Sequence, residues 1–156
     1  MLIYLDIDGV MVQGKSWRSP EILEDGFSEF GVKAVKSLIK IISETNAEIV
    51  LTTSHKHKYS LEKWVEFFKR RNIILNNISR LPENTQRLNR REELMKWFNS
   101  INTDEEFIII DDDKSLNGLT PFYKKRLLQT SASIGLTEYL ADEILTRIKE
   151  SNFESA

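Results

Sequence analysis

Asp6 and Asp8 stand one residue apart behind an apolar run, and Gly9 follows them. A second acidic group, Asp111, Asp112 and Asp113, comes directly after Phe107, Ile108, Ile109 and Ile110. Three adjacent carboxylates repel one another, and each raises the others' affinity for protons. A divalent cation relieves that repulsion, and aspartate oxygens with retained waters suit magnesium. A third apolar run ends in hydroxyls, at Thr52, Thr53 and Ser54. Carboxylates, a magnesium ion and a hydroxyl donor together make a site for a phosphoryl group. The metal neutralises phosphate charge, so that a carboxylate can approach an anion as nucleophile. Taken singly, each group has a plainer account. Asp8 and Gly9 read as a turn, and an acidic run reads as a solvated face. A calcium loop does not fit, because Val10 and Met11 hold its fifth and sixth places.

The elements that would bring these residues together alternate along the chain. "LIYLDI" at 2–7 reads as a strand buried on both faces. The stretch 13–31, "QGKSWRSPEILEDGFSEFG", reads as a long flap, with Trp17 and Arg18 as a lip or a plug at its edge. Val35, Leu38, Ile39 and Ile42 recur at helical spacing. "AEIVLTTS" at 47–54 is a second buried strand. Leu61, Trp64, Val65 and Phe68 mark a second helix, capped by Ser60. "NIILNN" at 72–77 reads as a third strand, and Leu94, Trp97, Phe98 and Ile101 as a third helix. "EFIIIDDD" at 106–113 and "KRLLQT" at 125–130 are the fourth and fifth strands. Thr137 caps a last helix carrying Leu140, Ile144, Leu145 and Ile148. This alternation predicts a Rossmann-like α/β fold, a three-layer α/β/α sandwich with a central parallel five-stranded sheet. Ligands bind such sheets outside the carboxyl ends of the strands, where the strand order reverses. The acids and hydroxyls singled out above all fall there.

The 156 residues predict a single domain over 1–150 with a tail over 151–156. A net charge of −2 argues against a whole-surface grip on nucleic acid, so any polyanion contact is local. Lys124, Lys125 and Arg126, with Arg87, Arg90 and Arg91, are candidates for it. The absence of cysteine excludes disulfides, thiolate metal sites and a cysteine nucleophile. "MLIYL" is cut off by Asp6, well short of a signal-peptide core or a membrane span, so a cytoplasmic protein without membrane contact is expected. His55 and His57, two apart in a lysine-rich loop, read as surface.

The pattern Asp6-Ile7-Asp8-Gly9-Val10 resembles the first motif of the haloacid dehalogenase-like (HAD) superfamily of phosphohydrolases. "IVLTTS" resembles its second motif and "FIIIDD" its fourth. Within the superfamily the chain is most similar to the HAD domain of Swiss Army Knife RNA repair proteins. That likeness rests on "LDIDGV", "IVLTTS", Arg90-x-x-Glu93-Leu94-x-x-Trp97-Phe98, the "DDD" end and "GLT" at 135–137.

The resemblance implies a magnesium-dependent phosphatase working through an aspartyl-phosphate. Asp6 would attack phosphorus, and Asp8 would protonate the leaving oxygen and later deprotonate water. Asp6, the Asp8 carbonyl and Asp112 would hold Mg²⁺, with Asp111 and Asp113 in support directly or through water. Thr53 would bind a phosphoryl oxygen, with Thr52 on the opposite face of the strand as the alternative. Gly9, Ser54 and Lys56 would border the substrate. Where relatives often carry Trp-Arg this chain has "SHK", with His55 and Lys56, so the contact made by that arginine is either lost or taken over by Lys56. Arg90 would supply the third motif's positive charge in preference to Arg87 or Arg91, because it alone keeps the spacing to Trp97. The intervals 11–46 and 55–89 leave no room for a cap domain, so an open site and a large substrate are expected, such as an RNA or DNA phosphate end. A metal-dependent nuclease and a phosphate-binding module without activity remain alternatives. A receiver domain does not, because it places its acid pair and its acceptor in the reverse order.

Overall fold

Five short apolar runs form one parallel sheet in the computed structural model, which describes residues 1–14, 20–102 and 104–150. The strands are β1 (Leu2–Leu5), β2 (Glu48–Leu51), β3 (Ile78–Arg80), β4 (Phe107–Asp111) and β5 (Leu127–Gln129). Their order is β3-β2-β1-β4-β5. β1 is therefore central, pairing Leu5 with Leu51 of β2 on one side and with Ile110 of β4 on the other. The chain builds outward from β1 to β3, then returns to the other side of β1 for β4. That reversal opens a crevice at the carboxyl ends of β1 and β4.

Side chains alternate across the sheet and divide the core in two. Ile3, Leu5, Ile49, Leu51, Ile108 and Ile110 pack under α1 (Val32–Thr45), α2 (Leu61–Arg70) and α5 (Glu138–Lys149). Tyr4, Val50, Ile109 and Leu127 pack against Leu94 of α3 (Arg90–Ser100) and Leu116 of a 3-10 turn (Lys114–Gly118). The single turn α4 (Pro121–Lys124) then leads into β5. Ser60 and Thr137 cap α2 and α5, accepting bonds from the Lys63 and Leu140 amides.

Several expectations shift. "NIILNN" is not a strand. The Ile73 amide bonds to the Phe68 carbonyl at 2.9 Å and Asn72 sits at φ 68°, so the end of α2 takes up that run. The third strand begins only at Ile78, opposite Ile49. Ile39 and Val65 lie on the outer flanks of their helices, each 39% exposed, while Ile41 and Phe67 are buried in their place. The stretch after β1 is less free than a flap. Ile22 bridges Ser28, and Phe27 and Phe30 pack into the core over α2. Trp17 and Arg18, and the tail over 151–156, lie outside the described residues. No separate cap domain occurs among the described residues.

Candidate active site

Asp6 is the first residue past β1, and its amide donates to the Ile110 carbonyl at 3.0 Å. This bond fastens the end of β1 to the end of β4 and brings the two acidic groups together. One oxygen from each of Asp6, Asp111 and Asp112 lies within 4.8 Å of the others. The turn after Asp8 depends on Gly9. Its φ is 82°, and a Cβ there would stand 2.2 Å from the Asp112 carboxylate. The buried Thr130 hydroxyl donates to the Gly9 carbonyl at 2.7 Å and ties this turn to the end of β5.

The positive charge comes from α3. Asn89 and Glu92 form a reciprocal capping box that fixes the helix start. Arg90 is the first residue of α3, and its Nη1 reaches Asp111 Oδ2 at 2.5 Å, Asp6 Oδ1 at 3.5 Å and the Thr52 hydroxyl at 3.4 Å. Arg91 and Arg87 go elsewhere. The Arg91 amide donates to the Ser115 hydroxyl, and its guanidinium lies against Gly118. Arg87 lines a groove outside the acidic cluster.

Strand alternation separates the two threonines. Thr52 shares the face of Tyr4 and Val50 and so stands beside Arg90, whereas the Thr53 hydroxyl accepts the His55 amide at 3.4 Å. Ser54 is exposed at the mouth of the same groove. Lys56 turns inward. It is 3% exposed, and its amine donates to Glu93 Oε2 at 2.8 Å. Glu93 also lies 3.6 Å from Arg90 Nε, so charges alternate from Lys56 through Glu93 and Arg90 to Asp111 and Asp6. Asp8 is exposed, with His55 Nε2 at 3.4 Å from its Oδ2.

Burial, followed by the neighbouring Asp111 charge, pushes the Asp6 carboxyl well above the usual carboxylate range, against the pull of Arg90. Burial also raises Asp111, although Arg90 and the Asp113 amide favour its ionised form. Burial disfavours the Arg90 charge, but Asp111 and Asp6 outweigh it and raise its pKa. One guanidinium is therefore shared among more carboxylate charge than it can neutralise. A hard, multivalent cation fits that deficit. Asp6 and Asp112 are placed to hold one. Both oxygens of Asp111 are already engaged, by Arg90 and by the Asp113 amide at 3.0 Å.

The family of HAD domains found in Swiss Army Knife RNA repair proteins matches residues 2–141, from β1 into α5. The chain belongs to this family. Its class is thereby that of the HAD-type hydrolases, which typically use magnesium. No curated protein and no solved structure matches the chain. Among the described residues, no helix is long and apolar enough to cross a membrane.

Three residues of this HAD site escape a reading by motif. Glu93 stood in the pattern from Arg90 to Phe98 without a role of its own, and it links the buried Lys56 to the half-buried Arg90. His55 read as surface, yet it borders Asp8. Thr130 closes the buried support of Gly9. Only Glu93 carried a signal in the sequence, as a carboxylate one helical turn beyond Arg90. The basic residues do not form one patch. Arg126 stacks on Phe122 and Phe107 at the amino end of β5, away from the crevice.

Proposed function

We propose that the chain is a magnesium-dependent phosphomonoesterase acting through an aspartyl-phosphate on Asp6. The observation that carries this reading is the placement of the buried Asp6 carboxylate. It lies at the carboxyl end of the central strand, between Arg90 on one side and Asp112 on the other. A carboxylate whose charge is so poorly compensated becomes a competent nucleophile once further positive charge arrives.

In the first step an Asp6 oxygen forms a bond to phosphorus in line with the breaking bond to the leaving oxygen. Asp8 protonates that oxygen as it departs. In the second step Asp8 removes a proton from water, the water oxygen bonds to phosphorus, and the Asp6 carboxylate is released. The proton that Asp8 gives up in the first step is regained from water in the second, and its exposed position leaves room for both the leaving oxygen and the water. Arg90 Nη1 neutralises charge on the nucleophile and the phosphoryl oxygens. The Thr53 hydroxyl oxygen accepts the His55 amide and keeps its own proton for a phosphoryl oxygen, with Thr52 as the alternative donor. Asp6, the Asp8 carbonyl and Asp112 would hold magnesium, which would supply electrostatic stabilisation of the transferring group. The open site and the family's association with RNA repair favour a phosphate at an RNA or DNA end.

Phosphate release from an aryl phosphate, with magnesium and with EDTA, tests the reading. Asp6→Asn should lower the magnesium-dependent rate on the order of 10⁴-fold or more. Equal activity of the two proteins would sink the nucleophile assignment.

A further inference from the structure

Two grooves adjoin the acidic cluster, and Asp113 borders both. The one toward β5 is walled by Asp112, Asp113 and the hydroxyls of Ser131 and Ser133, with Lys114 as its cation. The other, about 600 Å³, extends from Arg90 to Lys58, Asn84 and Arg87.

Arg87 in this second groove has an unusual backbone. Its φ is 54°, in the left-handed region that glycine and asparagine adopt more readily than arginine. Asn84 holds it there. The Asn84 side chain donates to the Leu88 carbonyl at 2.8 Å and accepts the Leu88 amide at 2.9 Å, clasping the turn around Arg87. A long cation at a position better suited to a small residue points to a task for the guanidinium.

Arg87 and Lys58 each lack a carboxylate at ion-pairing distance among the described residues, whereas other charges in the wall are engaged. Glu93 is held by Lys56, and Asp113 accepts the Ser115 amide at 2.8 Å. The wall as a whole sets four cations, Lys56, Lys58, Arg87 and Arg90, against three carboxylates, Glu83, Glu93 and Asp113.

We propose that this groove receives the body of the substrate and that Arg87 and Lys58 bind a second phosphate on it. The substrate class is a phosphomonoester carrying a further phosphate, as a nucleoside bisphosphate or a phosphorylated oligonucleotide end does. The proposal rests on the phosphatase reading of the adjoining carboxylates. Arg90 addresses the reacting phosphate, and the fork of Arg87 suits a second one. The groove toward β5 is the poorer host, because Asp112 and Asp113 outnumber its one cation, Lys114, whereas four cations face three carboxylates in the groove of Arg87.

The test compares a nucleoside 3′,5′-bisphosphate, a 5′-phosphorylated dinucleotide and the matching mononucleotide. The wild type should prefer a two-phosphate substrate by roughly tenfold or more in kcat/KM. Arg87→Asn, which keeps a residue at ease with the left-handed backbone, combined with Lys58→Gln, should bring that ratio close to one. Arg87→Lys should retain part of it. Calorimetric binding of the same ligands to Asp6→Asn with magnesium should show the same preference, and its loss when Arg87→Asn is added. A wild-type ratio near one, or a ratio unmoved by the double variant, overturns the proposal. The binding arm needs no turnover, so an inactive protein that keeps the preference sinks the phosphatase reading alone. An active protein without the preference sinks this subsite alone. A preference confined to the dinucleotide identifies an oligonucleotide, and one confined to the bisphosphate identifies a free nucleotide.

Discussion

Two arginines in this chain, Arg71 buried and Arg90 half-buried, sit beside aspartates and do opposite things. Arg71, just past α2, uses all five of its N–H groups. It donates to both Asp25 oxygens, at 2.7 and 3.0 Å, and to the carbonyls of Ser28, Phe27 and Phe67. The rings of Phe27, Phe30 and Phe67 surround it, with centroids 5.3–5.7 Å away. Hydrogen bonding from Arg71 holds the Asp25 carboxyl below its usual range. Arg90 faces Asp111 and Asp6 together, with Glu93 behind it, and both aspartates are raised instead. The pairing of residue types is the same; the ratio of cations to carboxylates differs. One-to-one pairing with every donor used makes a clasp that fastens the loop before α1 onto α2. A shared cation leaves net negative charge in a buried place. Such a place costs stability and suits a cation.

The contrast breaks most sharply at Arg90. Arg90→Met should lower kcat on an aryl phosphate by roughly 10²- to 10³-fold. Its melting temperature should fall in EDTA and recover in part with magnesium, because a bound cation relieves the exposed repulsion between Asp6 and Asp111. Differential scanning calorimetry with and without the metal reads this directly. Arg71→Met should be a stability variant only. Its loss should be roughly 3 kcal/mol by denaturant titration, because Asp25 and three carbonyls lose their donors. Magnesium should not restore it, and kcat/KM of the folded protein should stay at the wild-type value. Magnesium rescue of Arg71→Met, or none for Arg90→Met, would erase the distinction.

A smaller effect distinguishes the two sites by pH. The folded pKa of Asp25 lies below its unfolded value, so its contribution is full at neutral pH and is lost as pH falls through the acidic range. Asp25→Asn should therefore destabilise near pH 7, with a penalty that shrinks below about pH 4. The folded pKa of Asp6 lies above its unfolded value, so the folded chain binds the extra proton and stability falls as pH rises. Asp6→Asn should raise the melting temperature by about 2–4 °C at neutral pH in EDTA, and by little below the carboxylate range. Parallel pH–melting curves for the two variants check the opposite signs.

Much of this was legible in the chain because it depends on local chemistry. The apolar runs at 2–5, 49–51 and 107–110 are strands, covered on both faces of a parallel sheet. The Asp6, Asp8 and Gly9 spacing and the acids after Ile110 mark the strand ends for the same reason. "NIILNN" misled because a short apolar run serves equally as a helix end, and the Ile73 amide decided that locally. His55 lies at the surface as its loop suggested, but the partners of Lys56 and His55 are not written in residue type. One turned inward to Glu93, and the other turned toward Asp8.

By itself, the sequence determined the alternation of strands and helices, the acids at their ends and the family to which the chain belongs. Those follow from periodicity and from residue types at fixed spacing, which need no knowledge of neighbours across the fold. Tertiary structure alone decided that Thr52 is the hydroxyl beside Arg90, that Lys56 turns inward to Glu93, and how many carboxylates Arg90 must serve. These are matters of distance between segments far apart in the chain. In a buried place such distances set the charge balance, and the charge balance separates a clasp from a candidate active site.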